Sequence, residues 1–283
     1  MDATPPRGRL VVVATPLGNL GDVSARALDV LASADALYCE DTRRTRQLLS
    51  ARHIDAAGRL ESLHEHNEAQ RVAEVVARVA RGETVALVSD AGTPLVSDPG
   101  ARVVTAVAEA GLVVTTVPGP SAVVAALSVS GLAGERFCFE GFFPRRAAEQ
   151  RVRLEEWARE TRTVVFFESP RRLGATLAAL AARFPDRPAA VVRELTKLYE
   201  EVARGSLGEL AARFSGEVRG EVVVVLAGAG AAEAPSREAL EAALADALAR
   251  GASTREAVEE VASALGVARR EVYDVALSLR RRP

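Results

Sequence analysis

Residues 84–100 read TVALVSDAGTPLVSDPG, a short apolar run from Val85 to Val88 that breaks into a loop of glycines, prolines and the aspartates Asp90 and Asp98. A strand that ends in such a loop places backbone N–H groups and carboxylates at the carboxyl edge of a sheet, where open α/β folds bind their ligands. Strand-like runs recur on either side, at Leu10 to Ala14, Ala36 to Cys39 and Val113 to Val117. They alternate with helical patterns at Ser24 to Ala34, Glu68 to Arg81, Ala101 to Ala110 and Ser121 to Ser130. Such alternation predicts βαβ units and a largely parallel sheet.

The pattern resumes after Gly131, Gly134 and the segment GFFP at Gly141. A helix rich in Arg and Glu is expected over about Arg146 to Glu160. Strands follow at Thr163 to Phe167, Ala189 to Val192 and Glu221 to Ala227, with a helix at Arg171 to Arg183 between the first two. Their β-branched, apolar character suits strands covered on both faces. From Gly228 the chain turns to GAGAAEAPS, a small-residue linker. Beyond it every segment reads as helix: Ser236 to Arg250, a second from Ser253 or Thr254 to Gly266, and a third from Ala268 to Arg280. The predicted organisation is an α/β lobe over residues 1–118, a second α/β lobe over 119–228, and a small all-helical domain over 236–283. The tail has the spacing of a helix-turn-helix unit, a pattern that a small helical bundle shares.

Composition excludes several classes. A net charge of −2 over 283 residues is not the overall basic footprint of a nucleic-acid binder, so any such binding must rest on local patches. Three arginine clusters supply them: Arg43, Arg44 and Arg46; Arg145, Arg146, Arg151 and Arg153; and Arg269, Arg270, Arg280, Arg281 and Arg282. Each can equally be a solvated helix face paired with nearby glutamates. Lys197 is the single lysine, which is notable because an ammonium and a guanidinium are not interchangeable at a site. No apolar run reaches the roughly 18 residues of a membrane helix, and MDATPPRGRL lacks the layout of a secretory signal. A cytoplasmic protein is expected. Cys39 and Cys138 have no Cys or His neighbour at metal-ligand spacing, and no metal is expected.

Four loops follow predicted strands on one edge of the sheet: Thr15-Pro16-Leu17-Gly18-Asn19-Leu20-Gly21, Glu40-Asp41-Thr42-Arg43, Ser89-Asp90-Ala91-Gly92-Thr93-Pro94, and Pro118-Gly119-Pro120-Ser121-Ala122. In a parallel sheet all four converge on one crevice. Singly, each could be no more than a tight turn or a helix start, with Ser121 as cap. Neither a GxGxxG fingerprint nor a GxxxxGK[ST] phosphate loop is present. The segment HEHNE, His64 to Glu68, is not HEXXH; His64 and His66 would point to opposite faces of a strand, and Asn67 is expected to cap the next helix.

VATPLGNLGDVSARALDVL, EDTRRTRQLL, HEHNE, SDAGTPLVSDPG, PGPSA, FCFEGFFPRR, FFESPRRL, RELTKLYEE and RGE occur in that order between about Arg9 and Ala227. Together they resemble the small-subunit ribosomal RNA cytidine 2′-O-ribose methyltransferases, a branch of the tetrapyrrole-methylase superfamily. The resemblance implies an S-adenosylmethionine-dependent enzyme, usually dimeric, with the cofactor in a cleft between two α/β lobes. It places the cofactor along Pro16, along Ser89, Asp90, Ala91 and Gly92, near Thr93 and Pro94, and beside Ser121 and Ala122, with Phe167 and Leu226 near the adenine. One departure is Arg171, where that family more often reads His; an Arg there can still serve a phosphate.

Methyl transfer to a ribose hydroxyl requires alignment of oxygen, methyl and sulfur, and a base for the hydroxyl proton. Asp41, His64 and Asp98 are the candidate bases. Arg43, Arg44, Arg145, Arg146, Arg171 and Lys197 are the candidate RNA contacts. Two other readings remain open from the residues alone. The same cleft could methylate a tetrapyrrole, or the lobes could sense a metabolite while the tail binds DNA. The tail balances eight arginines with eight acids, a poor composition for strong non-specific DNA affinity.

Overall fold

The computed structural model describes residues 8–56, 58–230, 237–265 and 267–280, which fall in two compact units joined near Gly228. The larger unit holds two five-stranded sheets. The first contains β1 (Arg9–Val13), β2 (Ala36–Cys39), β3 (Leu60–Ser62), β4 (Thr84–Val88) and β5 (Val113–Val117), in the order β3-β2-β4-β1-β5 and all parallel. Alternation along β1 sorts its side chains onto two faces, as the strand period of two demands. Leu10 and Val12 face α3 (Glu68–Ala80) and α4 (Ala101–Glu109); Val11 and Val13 face α1 (Ala25–Ser33) and α2 (Thr42–Ala51). Helices cover both faces, and because all five strands run parallel their carboxyl ends share one edge.

The second sheet contains β6 (Phe137–Phe142), β7 (Thr163–Glu168), β8 (Pro188–Arg193), β9 (Glu201–Ser206) and β10 (Val222–Leu226), in the order β6-β7-β10-β8-β9. It is mixed: only β6 and β7 run parallel, and the other three pairs are antiparallel. The sequence reading finds three of these five strands. It misses β6 and β9 because FCFEGF is bulged and half-exposed and EVARGS alternates only weakly. It likewise passes over the three-residue β3 and the helix α8 (Leu207–Arg213), which a Ser206–Glu209 capping box starts.

One face of this sheet packs on α6 (Ala147–Trp157), α7 (Leu173–Arg183) and α8, around Trp157, Phe143 and Phe166. The other packs on α5 (Ala122–Ser130) through Val165, Val192, Val223 and Val225. Leu17 and Val96, from loops of the first sheet, join this second cluster, so the lobes meet along one apolar seam.

The smaller unit consists of α9 (Arg237–Ala249), α10 (Thr254–Leu265) and α11 (Arg269–Arg280) around Leu240, Leu244, Val258, Val261, Val272 and Val275. Each helix packs on the other two. Ser253 forms the reciprocal cap with Glu256 that starts α10. The expected helix start at Ser236, the stop at Gly266 and the basic residues Arg281 and Arg282 lie outside the described residues.

Candidate functional site

The four loops and the β3–α3 turn meet at the carboxyl edge of the first sheet. Thr15 and Gly92 form an antiparallel bridge, each N–H donating to the other's carbonyl at 2.9 and 3.1 Å. Thr15 Oγ1 donates to Ser89 O at 3.0 Å, and Thr93 Oγ1 to Pro120 O at 2.9 Å. These bonds tie the β1, β4 and β5 loops into one wall and bring together Pro16, Ser89, Asp90, Ala91, Gly92, Thr93, Pro94, Ser121 and Ala122. Gly92 has φ +82, and a Cβ there would fall 3.0 Å from Leu17 Cδ2, so the close approach of the loops depends on glycine.

The carboxylates differ in what they can do. Asp41 is the N-cap of α2; its carboxylate accepts from Arg43 N at 2.9 Å and pairs with the Arg43 guanidinium at 3.1 Å. Those bonds pull its carboxyl below the ordinary aspartate range, which makes it a poor proton acceptor. Asp41 therefore serves, structurally, as the cap of α2. Asp98 lies 2.5 Å from Ser89 Oγ, which donates to it; Ser89 Oγ in turn accepts from Ala91 N at 3.1 Å. Burial, reinforced by Asp90, pushes the Asp98 carboxyl up despite that bond. Asp98 does not cap α4: Glu68 Oε1 accepts from Gly100 N and Arg102 N at 3.1 and 2.8 Å.

Asp90 accepts from Asp41 N at 2.9 Å and lies 3.8 Å from Arg44 Nε. Sequence reasoning passed over Glu40, which shares a small pocket with Ser89, Pro94 and Asp98. Desolvation, then Asp90 and Asp98, raise its carboxyl above the usual glutamate range, while Arg44 and then His64 act in the opposite sense. Its position directly after β2 was the available signal.

His64 and His66 sit in the turn after β3 rather than on a strand, with ring centroids 6.0 Å apart. His64 Nδ1 is buried and, among the described residues, has no hydrogen-bond partner. Asn67 does not cap α3 with its side chain; Oδ1 accepts from His64 N at 2.8 Å and Nδ2 donates to Ser62 O at 3.0 Å, which fixes this turn. Ser121 also makes no side-chain cap, so its place at the seam is set by the chain around it.

Phe167 stands on the seam face of the second sheet, in ring contact with Phe139 at 4.9 Å and with the exposed Phe142 at 5.6 Å. Leu226 does not join it. Its side chain is fully buried on the opposite face, among α6 to α8, because strand alternation turns it away. Of the candidate cations, Arg43, Arg44, Arg145, Arg146 and Arg171 are exposed, and among the described residues Arg145 and Arg171 form no ion pair. Lys197 is different: Nζ donates to Glu194 Oε1 at 2.8 Å and to Glu221 Oε2 at 3.0 Å. Among the described residues no group of three His, Cys, Asp or Glu is placed to hold a metal ion, and no helix is long and apolar enough to cross a membrane.

A parallel sheet whose loops face a second, mixed sheet across an apolar seam is a two-lobed methylase architecture. The uroporphyrin-III-C-methyltransferase of Thermus thermophilus shares it, with a TM-score of 0.53 and 23% identity over 78% of this chain and 94% of that one. The chain belongs to the family of tetrapyrrole (corrin/porphyrin) methylases, which its residues 9–211 match. It is also 50% identical, over 97% of its length and 96% of the relative's, to a Mycobacterium tuberculosis protein named ribosomal RNA small subunit methyltransferase I. A Neisseria meningitidis protein of the same name is 43% identical over 96% of this chain and 94% of its own.

Proposed function

We propose that this chain transfers a methyl group from S-adenosylmethionine to the 2′-hydroxyl of a cytidine in small-subunit ribosomal RNA. The observation that carries the reading is the 50% identity, along nearly the whole chain, to a relative named for action on that RNA. The seam fits the cofactor chemically. Asp90 and the raised carboxylates Glu40 and Asp98 suit the positive charges of a sulfonium and an ammonium, and Leu17, Val96 and Phe167 offer an apolar wall for an adenine. Gly92, at φ +82, lets the β4 loop close against Leu17 and the Pro120 carbonyl and so shapes this wall. When bound, this cofactor supplies an electrophilic methyl group.

The chain's own residues do the rest. The Thr15–Gly92 bridge and the Ser89–Asp98 bond hold the loops rigid, and in-line displacement depends chiefly on such alignment. Glu40, His64 and Asp98, all at the carboxyl edge and none in an ion pair among the described residues, are the groups suited to accept the hydroxyl proton. Phe142, exposed beside Arg145 and Arg146, offers the aromatic-and-arginine surface that single-stranded RNA favours. The resemblance further implies a homodimer, measurable by sedimentation, and a cytoplasmic location.

The test is transfer of labelled methyl from S-adenosylmethionine to small ribosomal subunits lacking their own modification, beside naked RNA and a tetrapyrrole, with Asp90→Ala as control. Label on a cytidine ribose 2′-oxygen is the expected result. Label on the tetrapyrrole, or cofactor binding with transfer to none of the three, would overturn the proposal.

A further inference from the structure

The loop between β8 and β9 leaves the second sheet and crosses the first loop of the other lobe. The Lys197 stem lies against Gly18 so closely that a Cβ there would fall 2.3 Å from Lys197 Cγ and 2.8 Å from Cε. Below this crossing, Leu17 shares an apolar cluster with Leu195 of the crossing loop, and Leu17 also touches the Gly92 turn. The first loop is therefore clamped between the β4 loop of its own lobe and residues 195–197 of the other.

The clamp is anchored at its base. Glu194 Oε1 accepts from Lys197 Nζ at 2.8 Å and from Glu221 N at 2.9 Å, and the Glu194 stem lies on Gly220, where a Cβ would fall 2.4 Å from it. Glu194 and Thr196 have φ of +54 and +65, a region that non-glycine residues rarely occupy and that persists where the surroundings over-determine it. Lys197 N donates to Glu194 O at 3.0 Å, and Thr196 N to Glu200 Oε2 at 2.6 Å, which closes the loop on itself. Burial opposes the Lys197 charge, but the bonds to Glu194 and Glu221 outweigh it and hold the ammonium protonated. All other basic residues bar the histidines are arginine, so the one lysine stands where a slim stem must cross a backbone and end in a compact charge.

We propose that residues 194–200 are a strap between the lobes, and that Lys197 is a positioning residue that holds the Pro16–Leu17–Gly18 segment against the cofactor rather than a contact for RNA phosphate. The proposal rests on the cofactor reading above. Two carboxylates already neutralise the ammonium, so its removal should leave the salt dependence of RNA binding as it was.

The experiment compares wild type with Lys197→Ala, Lys197→Met, Gly18→Ala and the double variant Gly18→Ala/Lys197→Ala. S-adenosylmethionine affinity is measured by titration calorimetry, KM for each substrate by methyl transfer, and RNA affinity against salt. Lys197→Ala is expected to weaken the cofactor at least tenfold and raise its KM, with the KM for RNA and the salt slope unchanged. Lys197→Met, which keeps the stem, should recover part of that loss. Gly18→Ala should weaken the cofactor alone, yet cost nothing further once Lys197 is gone, because the side chain it meets is absent. In the wild type, amine-directed labelling of the single lysine should slow when cofactor saturates. Cofactor affinity in Lys197→Ala equal to wild type overturns the strap, and a salt slope lowered by about one in that variant assigns the lysine to a phosphate instead. Labelling that ignores cofactor also overturns it, and this readout needs no variant to fold. Failure of the wild type to bind cofactor would be a failure of the underlying reading, seen before any variant is compared.

Discussion

Arg172→Ala isolates what the ESPRR segment does. The Glu168 carboxylate is fully buried; it accepts from Ser169 N at 2.6 Å and Thr176 Oγ1 at 2.5 Å, and its charge is balanced by Arg172 at 2.5 Å. Arg172 also donates to the carbonyls of Phe143 and Pro144 at 3.1 and 3.3 Å, which pins the turn leading to Arg145. Removing the guanidinium strands a buried carboxylate with two neutral donors, a change that costs about 3–5 kcal/mol. For a unit of this size each kcal/mol moves Tm by about 2–4 °C, so a fall of roughly 6–20 °C is expected by calorimetry, with a matching shift in the urea midpoint. Glu168→Gln/Arg172→Met removes both charges and should restore most of the loss, since replacing a whole buried pair is often neutral. A loss below about 1 kcal/mol for Arg172→Ala would refute the reasoning, because an exposed pair behaves that way. So would a double variant as unstable as the single one.

Gly92→Ala places a Cβ at φ +82 against Leu17, a strain of about 1–3 kcal/mol; calorimetric titration should show cofactor affinity at least tenfold weaker while far-UV circular dichroism is unchanged. For Asp98 the native carboxyl titrates above the unfolded one, so the native state binds more protons and stability falls as pH rises from about 4 through the raised value. Asp98→Asn should flatten that part of the curve, read as urea midpoints between about pH 3 and 7. Arg145→Ala, at an exposed cation with no ion pair among the described residues, should lower the slope of log affinity against log salt for ribosomal RNA by about one, with cofactor affinity unchanged.

The first lobe was legible because a parallel sheet covered on both faces writes itself as apolar runs separated by helical periods. Ala36–Cys39 and Val113–Val117 match the sequence reading at both ends, and Ser24 caps α1 as its type suggests. The second lobe was harder because pairing, rather than local composition, defines its strands. Its strands differ in partner and direction, and β9 owes its existence to pairing with β8 rather than to its own residues. At the site, loop chemistry pointed to the right edge, but side-chain roles did not follow. Asp41, His64 and Asp98 look alike as polar residues after strands, and only their partners separate them: an arginine two positions on, no partner at Nδ1, and a serine hydroxyl nine residues away.

What the sequence determined by itself is what short-range physics controls: two α/β lobes and a helical tail, the sheet edge that carries the loops, and glycines and prolines where the chain turns sharply. Tertiary structure alone decided which charges are free and which are spent. Lys197 reads as a loose cation until Glu194 and Glu221 close on it, and Leu226 reads as a seam residue until strand pairing turns it to the other face. Glu221 lies 24 residues from Lys197, and the strands that pair with Leu226's strand lie farther still. Even the nearby Glu194 reaches Lys197 only through the way the loop folds back, so these outcomes are set by a few ångströms of space that sequence separation does not record.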